Sequence, residues 1–189
     1  IYSLTFSYLK TSVRKELAGK LGKKTGGAVF SDFLKEEPGL PAFLPELACL
    51  ERLRHRVKTS PFSPPEDTDD FQINPSLEVF RSSWKFSPLL EGEGKESSPP
   101  DPGEEWILIR RDPESGETVI SSASPDELLA VKILAEDITP EAAAAAGDVP
   151  VGKIDRALRS AAGIGVLIAP RSRITRSFPP SENDKNERT

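Results

Sequence analysis

Hydrophobic residues recur at helical spacing throughout the first 60 residues of the chain. Residues 9–21 carry Leu or Val at every fourth position among lysines and arginines, and residues 28–36 repeat apolar pairs four positions apart. Residues 40–57 hold the strongest amphipathic pattern, with two prolines suited to its first turn. These patterns predict helices that form a bundle domain over residues 1–60.

The pattern is interrupted after this domain. Residues 61–72 are predicted to be a linker, because their composition turns to Pro, Ser, Asp and Glu. Apolar positions resume at Ile73 and predict a packed, extended segment, with a further strand at residues 84–90. Residues 91–105 contain no hydrophobic side chain, so we expect a mobile loop there.

A β-hairpin is predicted next. The sequences WILIRR at residues 106–111 and TVI at residues 118–120 favour strands, because they are rich in β-branched, aromatic and other apolar side chains. The sequence DPESG between them favours a turn. This combination predicts two antiparallel strands joined by that turn.

Three helices are predicted after the hairpin. Two of them begin with Ser or Thr followed by Pro and acidic residues, which are helix-start signals. The predicted helices and a final strand lie at residues 124–134, 139–146, 152–162 and 166–168.

The predicted elements together define a fold class. Two strands followed by three helices is the order of a winged helix-turn-helix. The fold class is therefore mostly α with a small β component (α+β): the helical bundle is followed by a winged-helix domain over residues 73–169. Residues 170–189 lack a continuous apolar face and are expected to form a flexible tail.

Cysteine and histidine each occur once, as Cys49 and His55, in a chain of 189 residues. This excludes a Cys/His zinc site, a cysteine-ligated iron–sulfur cluster and a disulfide, and a Ser-His-Asp triad would depend on His55 alone. Glu51 and His55 are four residues apart on a predicted helix, and we interpret them as a surface pair rather than metal ligands. We therefore expect neither a metal site nor a catalytic site in this chain.

The charge is unevenly distributed. The chain has 25 basic and 30 acidic residues, but residues 1–60 carry a net +5, residues 61–148 a net −14 and residues 149–189 a net +4. Proteins that bind duplex DNA draw much of their affinity from a concentrated basic surface. The acidic middle segment therefore counts against non-specific nucleic-acid binding.

The chain lacks membrane and export signals. Its apolar runs are far shorter than the roughly 20 residues that a membrane span needs, and nothing resembles a signal peptide. We expect a cytoplasmic protein with no membrane partner. Because the sequence contains no methionine, we also expect it to be part of a longer reading frame.

Two segments resemble a known family. LPAFLPELACLERLRHRV at residues 40–57, followed by INPSLEVFRSSWKF at residues 73–86, resembles the HvfC/BufC N-terminal family. That family was first classed as DNA-binding and was later linked to the maturation of peptide natural products. The resemblance covers about residues 28–168.

The region from Trp106 to Ile168 resembles a PqqD-type peptide-recognition winged helix. In that family the leader of a precursor peptide adds as a strand to the third strand of the sheet and lies against the third helix. The resemblance implies a peptide-binding site formed by a receiving strand and by basic residues on the facing helix: Thr118, Val119, Ile120, Ser121, Lys153, Arg156 and Arg159. Either edge of the hairpin remains open as the receiving edge.

The combination of these segments with the closing sequence APRSRITRSF resembles the N-terminal region of radical-SAM peptide maturases of the thiazole/selenazole type. Those enzymes hold an iron–sulfur cluster through a Cys-x-x-x-Cys-x-x-Cys motif, which this chain lacks. The resemblance implies a recognition module without cofactors of its own. An iron–sulfur cluster and S-adenosylmethionine would belong to an enzyme domain further along the same chain or to a partner enzyme.

A second function remains open at this stage. Lys153, Arg156 and Arg159 fall on one face of the predicted helix at residues 152–162, and Arg171, Arg173 and Arg176 add further positive charge. A winged helix with such a face can insert its recognition helix into the major groove of DNA. DNA is therefore the alternative partner to a leader peptide.

Overall fold

The described part of the chain is a mixed α+β fold. The structure is a computed structural model that describes residues 1–9, 11, 13–15, 17, 27–65, 68–91 and 98–170. Its elements, in chain order, are α1 (Ser3–Ser7), α2 (Gly27–Glu36), α3 (Leu44–Thr59), β1 (Gln72–Ile73), β2 (Glu78–Trp84), α4 (Ser87–Glu91), β3 (Pro102–Arg111), β4 (Thr118–Ser122), α5 (Pro125–Ala135), α6 (Pro140–Gly147), α7 (Val151–Gly163) and β5 (Leu167–Ile168). This agrees with the predicted fold class.

The chain divides into two compact units. The first unit comprises Ile1–Phe62 and Pro75–Pro125, and the second comprises Ser63–Asn74 and the chain from Asp126 onward. The predicted domains, residues 1–60 and 73–169, follow a different division, since the sheet belongs with the N-terminal helices. The physical reason is a shared core in the first unit. Side chains of α3 are buried in the same cluster as those of β3.

The first unit packs helices against an antiparallel sheet of order β2-β3-β4. Leu44 and Leu47 of α3 and Ile107 and Ile109 of β3 are fully buried in its core. Phe43 extends this core with edge-on ring contacts, at centroid distances of 5.0 Å to Tyr8 and 5.8 Å to Trp84. Ile107 and Ile109 alternate with residues on the other face of the sheet, as the pleat of a strand requires.

The buried carboxylate of Glu51, in α3, is hydrogen-bonded to the first turn of α1. Glu51 is 5% exposed, and its oxygens accept hydrogen bonds from the backbone N–H groups of Leu4 and Thr5, both at 2.8 Å, and from the Thr5 hydroxyl at 2.7 Å. These N–H groups lie in the first turn of α1, where they have no acceptor within the helix. The interpretation of Glu51 as a surface residue paired with His55 was therefore wrong.

The second unit contains α5, α6 and α7 and the short antiparallel pair β1-β5. Ile133, Ile154 and Leu158 are buried on the inner faces of these helices. Asn74, which follows β1, is bonded to the residues that precede β5. Its backbone N–H donates to the Val166 carbonyl at 3.1 Å, and its side-chain amide donates to the Gly165 carbonyl at 2.7 Å. The predicted helix starts are confirmed by α5 and α6, and at α6 the Thr139 hydroxyl accepts the N–H of Ala142.

Two predictions for the region before the hairpin were wrong. Residues 84–90 do not form a strand, because β2 ends at Trp84 and α4 begins at Ser87. Glu105 explains this change, since its carboxylate accepts the N–H groups of Phe86 at 2.6 Å and Ser87 at 3.2 Å and so caps the helix start. Glu105 itself belongs to β3, so the last four residues of the predicted loop at 91–105 are strand.

Other predictions fall partly or wholly outside the described residues. These are much of the helix predicted at residues 9–21, positions 92–97 of the predicted loop, and residues 171–189 of the predicted tail, with Arg171, Arg173 and Arg176. The predicted hairpin lies in the first unit, and the helices predicted after it lie in the second.

Removing one acceptor from Glu51 tests its role in stability. We expect Glu51→Gln to lower the free energy of unfolding by about 1–3 kcal/mol, because a buried N–H group or hydroxyl would lose its charged acceptor. Chemical denaturation measures this change, with Glu36→Gln, at an exposed position of α2, as the matched control. Equal stability of the two variants would contradict the assignment.

Candidate functional site

The outer side of β4 is an edge of the sheet that the structure describes. Among the described strands, β4 pairs only with β3, which lies at the centre of the sheet. The Asp112 N–H donates to the Glu117 carbonyl at 2.8 Å, and the Ala123 N–H donates to the Trp106 carbonyl at 2.7 Å. These two bonds fix which residues of β4 face β3, because hydrogen-bonded pairs alternate along an antiparallel ladder.

The alternation separates the predicted strand residues into two sets. Val119 and Ser121, opposite Arg110 and Leu108, turn their backbone N–H and C=O groups toward β3. Thr118, Ile120 and Ser122 turn theirs away from the sheet. No residue that the structure describes forms a hydrogen bond to these outward backbone groups. The sequence prediction covered Thr118 to Ser121 and missed Ser122, which continues the same alternation.

The opposite edge of the sheet is partly covered. The same alternation turns Val79, Arg81 and Ser83 of β2 outward. Glu46 of α3 occupies this edge, since its carboxylate accepts the Ser83 N–H at 2.8 Å and the Ser82 hydroxyl at 2.7 Å. Among the described residues, Glu46 therefore bonds part of the β2 edge, whereas the outward backbone groups of β4 have no hydrogen-bond partner.

Side chains of β4 differ between the two faces of the sheet. Ile120 packs against the core of the first unit. Ser121 is on the opposite face, where its hydroxyl accepts a hydrogen bond from the guanidinium of Arg110 at 3.1 Å. A strand added beside β4 would alternate its own side chains between these faces. The position of each peptide side chain would therefore depend on its register.

The turn before β4 holds the strand in register. One carboxylate oxygen of Asp112 accepts the Ser115 N–H at 2.7 Å, the Ser115 hydroxyl at 2.9 Å and the Glu114 N–H at 3.1 Å. Hydrogen bonds from Ser115, first from its backbone N–H and then from its hydroxyl, hold the pKa of Asp112 below its ordinary value. The charged form of Asp112 therefore stabilises the turn.

Arg111 connects the same turn to the residues that directly follow α3. Its Nε donates to the Gly116 carbonyl at 2.8 Å, and its Nη1 donates to the Ser60 carbonyl at 3.1 Å. Its guanidinium also lies 5.6 Å from the centre of the Phe62 ring, within the range of a cation–π contact. These contacts limit the movement of the turn from which β4 starts.

The basic residues of the predicted site lie on α7. Lys153, Arg156 and Arg159 are exposed on successive turns of that helix. None of the three forms an ion pair with a residue in the described ranges. They belong to the second unit, whereas Thr118 to Ser121 belong to the first. The predicted site residues therefore belong to two different units, the strand residues to the first and the basic residues to the second.

The ionisation of Asp112 makes the hairpin sensitive to acid. We expect Asp112→Asn to lower the midpoint of thermal unfolding at neutral pH, because the charged acceptor is lost. The native pKa is depressed, so this contribution is complete above the ordinary aspartate pKa and disappears as the pH falls through the native value. Unfolding curves of both proteins from pH 7 to pH 2 should therefore converge at low pH. A difference independent of pH would contradict the assignment.

Among the described residues, no three His, Cys, Asp or Glu side chains are grouped closely enough to hold a metal ion. No helix in the described part of the chain has the length and apolar character of a membrane span. In comparisons with known proteins, the chain matched no family model and no curated protein.

Proposed function

We propose that this chain is a non-catalytic recognition module that binds the leader of a ribosomally made precursor peptide as an added strand along β4. The observation that carries the proposal is the row of outward backbone groups at Thr118, Ile120 and Ser122. The module would present the peptide to a modifying enzyme, either a radical-SAM domain in the same chain or a separate protein. It would be cytoplasmic and would need no cofactor of its own.

The outward groups would supply part of the binding energy of a transient complex. Three residues offer one N–H and one C=O each, and a net 0.5–1.5 kcal/mol per hydrogen bond gives about 3–9 kcal/mol in total. Ordering the peptide and losing its translational freedom oppose this gain. Apolar contacts of the peptide must supply the remainder. We therefore expect moderate affinity that changes little with salt, because backbone hydrogen bonds carry no net charge.

DNA binding by α7 is the second candidate. It is favoured by the exposure of Lys153, Arg156 and Arg159, which have no ion-pair partner among the described residues. Phosphate contacts would make the affinity fall steeply as salt rises. Against this function stands Asp155 on the same helix, together with the net charge of −14 over residues 61–148.

A proline in β4 tests strand addition. Thr118→Pro removes one outward N–H group and leaves the pairing of β4 with β3 intact. We expect at least a fivefold loss of affinity, from one hydrogen bond and the clash of the ring with an incoming strand. The measurement is a titration with the short peptides encoded next to this gene. The matched control is Val79→Pro, which removes an outward N–H group from the opposite edge of the sheet.

Equal effects of the two proline variants would contradict binding at β4. The DNA alternative is tested in parallel with a pool of random duplexes at low and physiological salt, using Arg156→Glu. Under the peptide proposal, Arg156→Glu changes duplex retention at low salt only, and no duplex binding persists at physiological salt. Duplex binding that survives physiological salt, with no binding of any peptide, would favour DNA.

A further inference from the structure

The second unit carries a groove that the proposed function does not use. The groove has a volume of about 820 Å³ and lies between α5, α7, the start of α6 and the segment that contains β1. Half-buried Leu134 and Ile138 and exposed Val151 form the apolar part of its floor, over the buried side chains of Ile133 and Leu158. An apolar floor open to solvent at this size can accept one or two side chains of a peptide.

The rim of the groove is acidic. Asp70, Asp137, Glu141 and Asp155 line it, with Arg159 as the one basic side chain among the lining residues. None of these four carboxylates forms an ion pair within the part of the chain that the structure describes. Four carboxylates against one guanidinium favour an occupant with a net positive charge and an apolar side chain.

A segment with this chemistry follows β5 in the sequence. β5 pairs with β1 in the register Ile168 to Gln72 and Leu167 to Ile73. Continuing this register by two residues brings Pro170 opposite Asp70, at the rim. The next residues, 171–178, have the sequence RSRITRSF, which contains three arginines around Ile174 and no acidic residue. We name this stretch the tail segment.

We propose that the tail segment docks into this groove of the same chain, with Ile174 over the apolar floor and its arginines beside the acidic rim. Length permits this arrangement, because eight residues in extended form span about 26 Å. The tail segment follows Pro170 directly, so its docking is intramolecular. It therefore loses much less translational freedom than a separate peptide would lose on binding. A free basic peptide is the competing occupant, and the experiment separates the two.

Proteolysis of the full chain tests the docking. Trypsin cleaves after arginine, so we follow the Arg176–Ser177 bond by mass spectrometry. The groove variant is Glu141→Lys with Asp155→Lys, and we expect it to be cut at least about fivefold faster than the wild type, because reversed rim charges release the segment. The matched control is Asp126→Lys with Glu136→Lys, which makes the same charge change at two exposed positions of the same unit outside the groove lining.

A charge exchange distinguishes release of the tail segment from a folding defect as the cause of faster cleavage in the groove variant. Arg171→Glu with Arg173→Glu should accelerate cleavage in the wild-type background and restore protection in the groove variant. Circular dichroism checks that each protein keeps its helices. Equal cleavage rates in the wild type and the groove variant, or acceleration without restoration by the exchange, would overturn the proposal and leave the groove to a partner.

Discussion

The central position of β3 in the sheet determines which backbone groups remain available for binding. Alternate residues of β3 pair with β2 on one side and with β4 on the other. The outward groups of Thr118, Ile120 and Ser122 follow from this pairing. The turn at Asp112 then sets the register of β4, because a shift by one residue would exchange the inward and outward sets. The candidate site therefore consists of backbone N–H and C=O groups whose direction is set by strand pairing.

Local chemistry explains why parts of this arrangement were predictable. The hairpin and the helices after it were predicted correctly, since DPESG is a strong turn sequence and Ser-Pro-Asp and Thr-Pro-Glu are strong helix starts. The helix at residues 40–57 was also recognised from its apolar spacing, and the structure places it at Leu44–Thr59. Signals of this kind depend on neighbours in sequence, so one sequence is enough to detect them.

Contacts between distant residues account for the errors. The carboxylate of Glu105 caps the start of α4, just after the end of β2, from 18 residues away in the sequence. The carboxylate of Glu51 accepts hydrogen bonds from α1 across more than 40 residues. Such carboxylates look like ordinary surface charges in the sequence. The compact units also differ from the predicted domains, because the long-range packing of α3 on the sheet joins the N-terminal helices to the hairpin. For the candidate site, the sequence indicated the strand, but only the pairing identifies its outward residues and the opposite edge, which Glu46 partly covers.

Residue-resolved hydrogen exchange during peptide titration tests strand addition at β4 most directly. Bound peptide should slow exchange of the amides of Thr118, Ile120 and Ser122, since these N–H groups gain acceptors. The amides of Val119 and Ser121 already donate to β3 and should change much less. This alternation with a period of two is the predicted result. New protection along β2 or α7 instead, with β4 unchanged, would contradict the account.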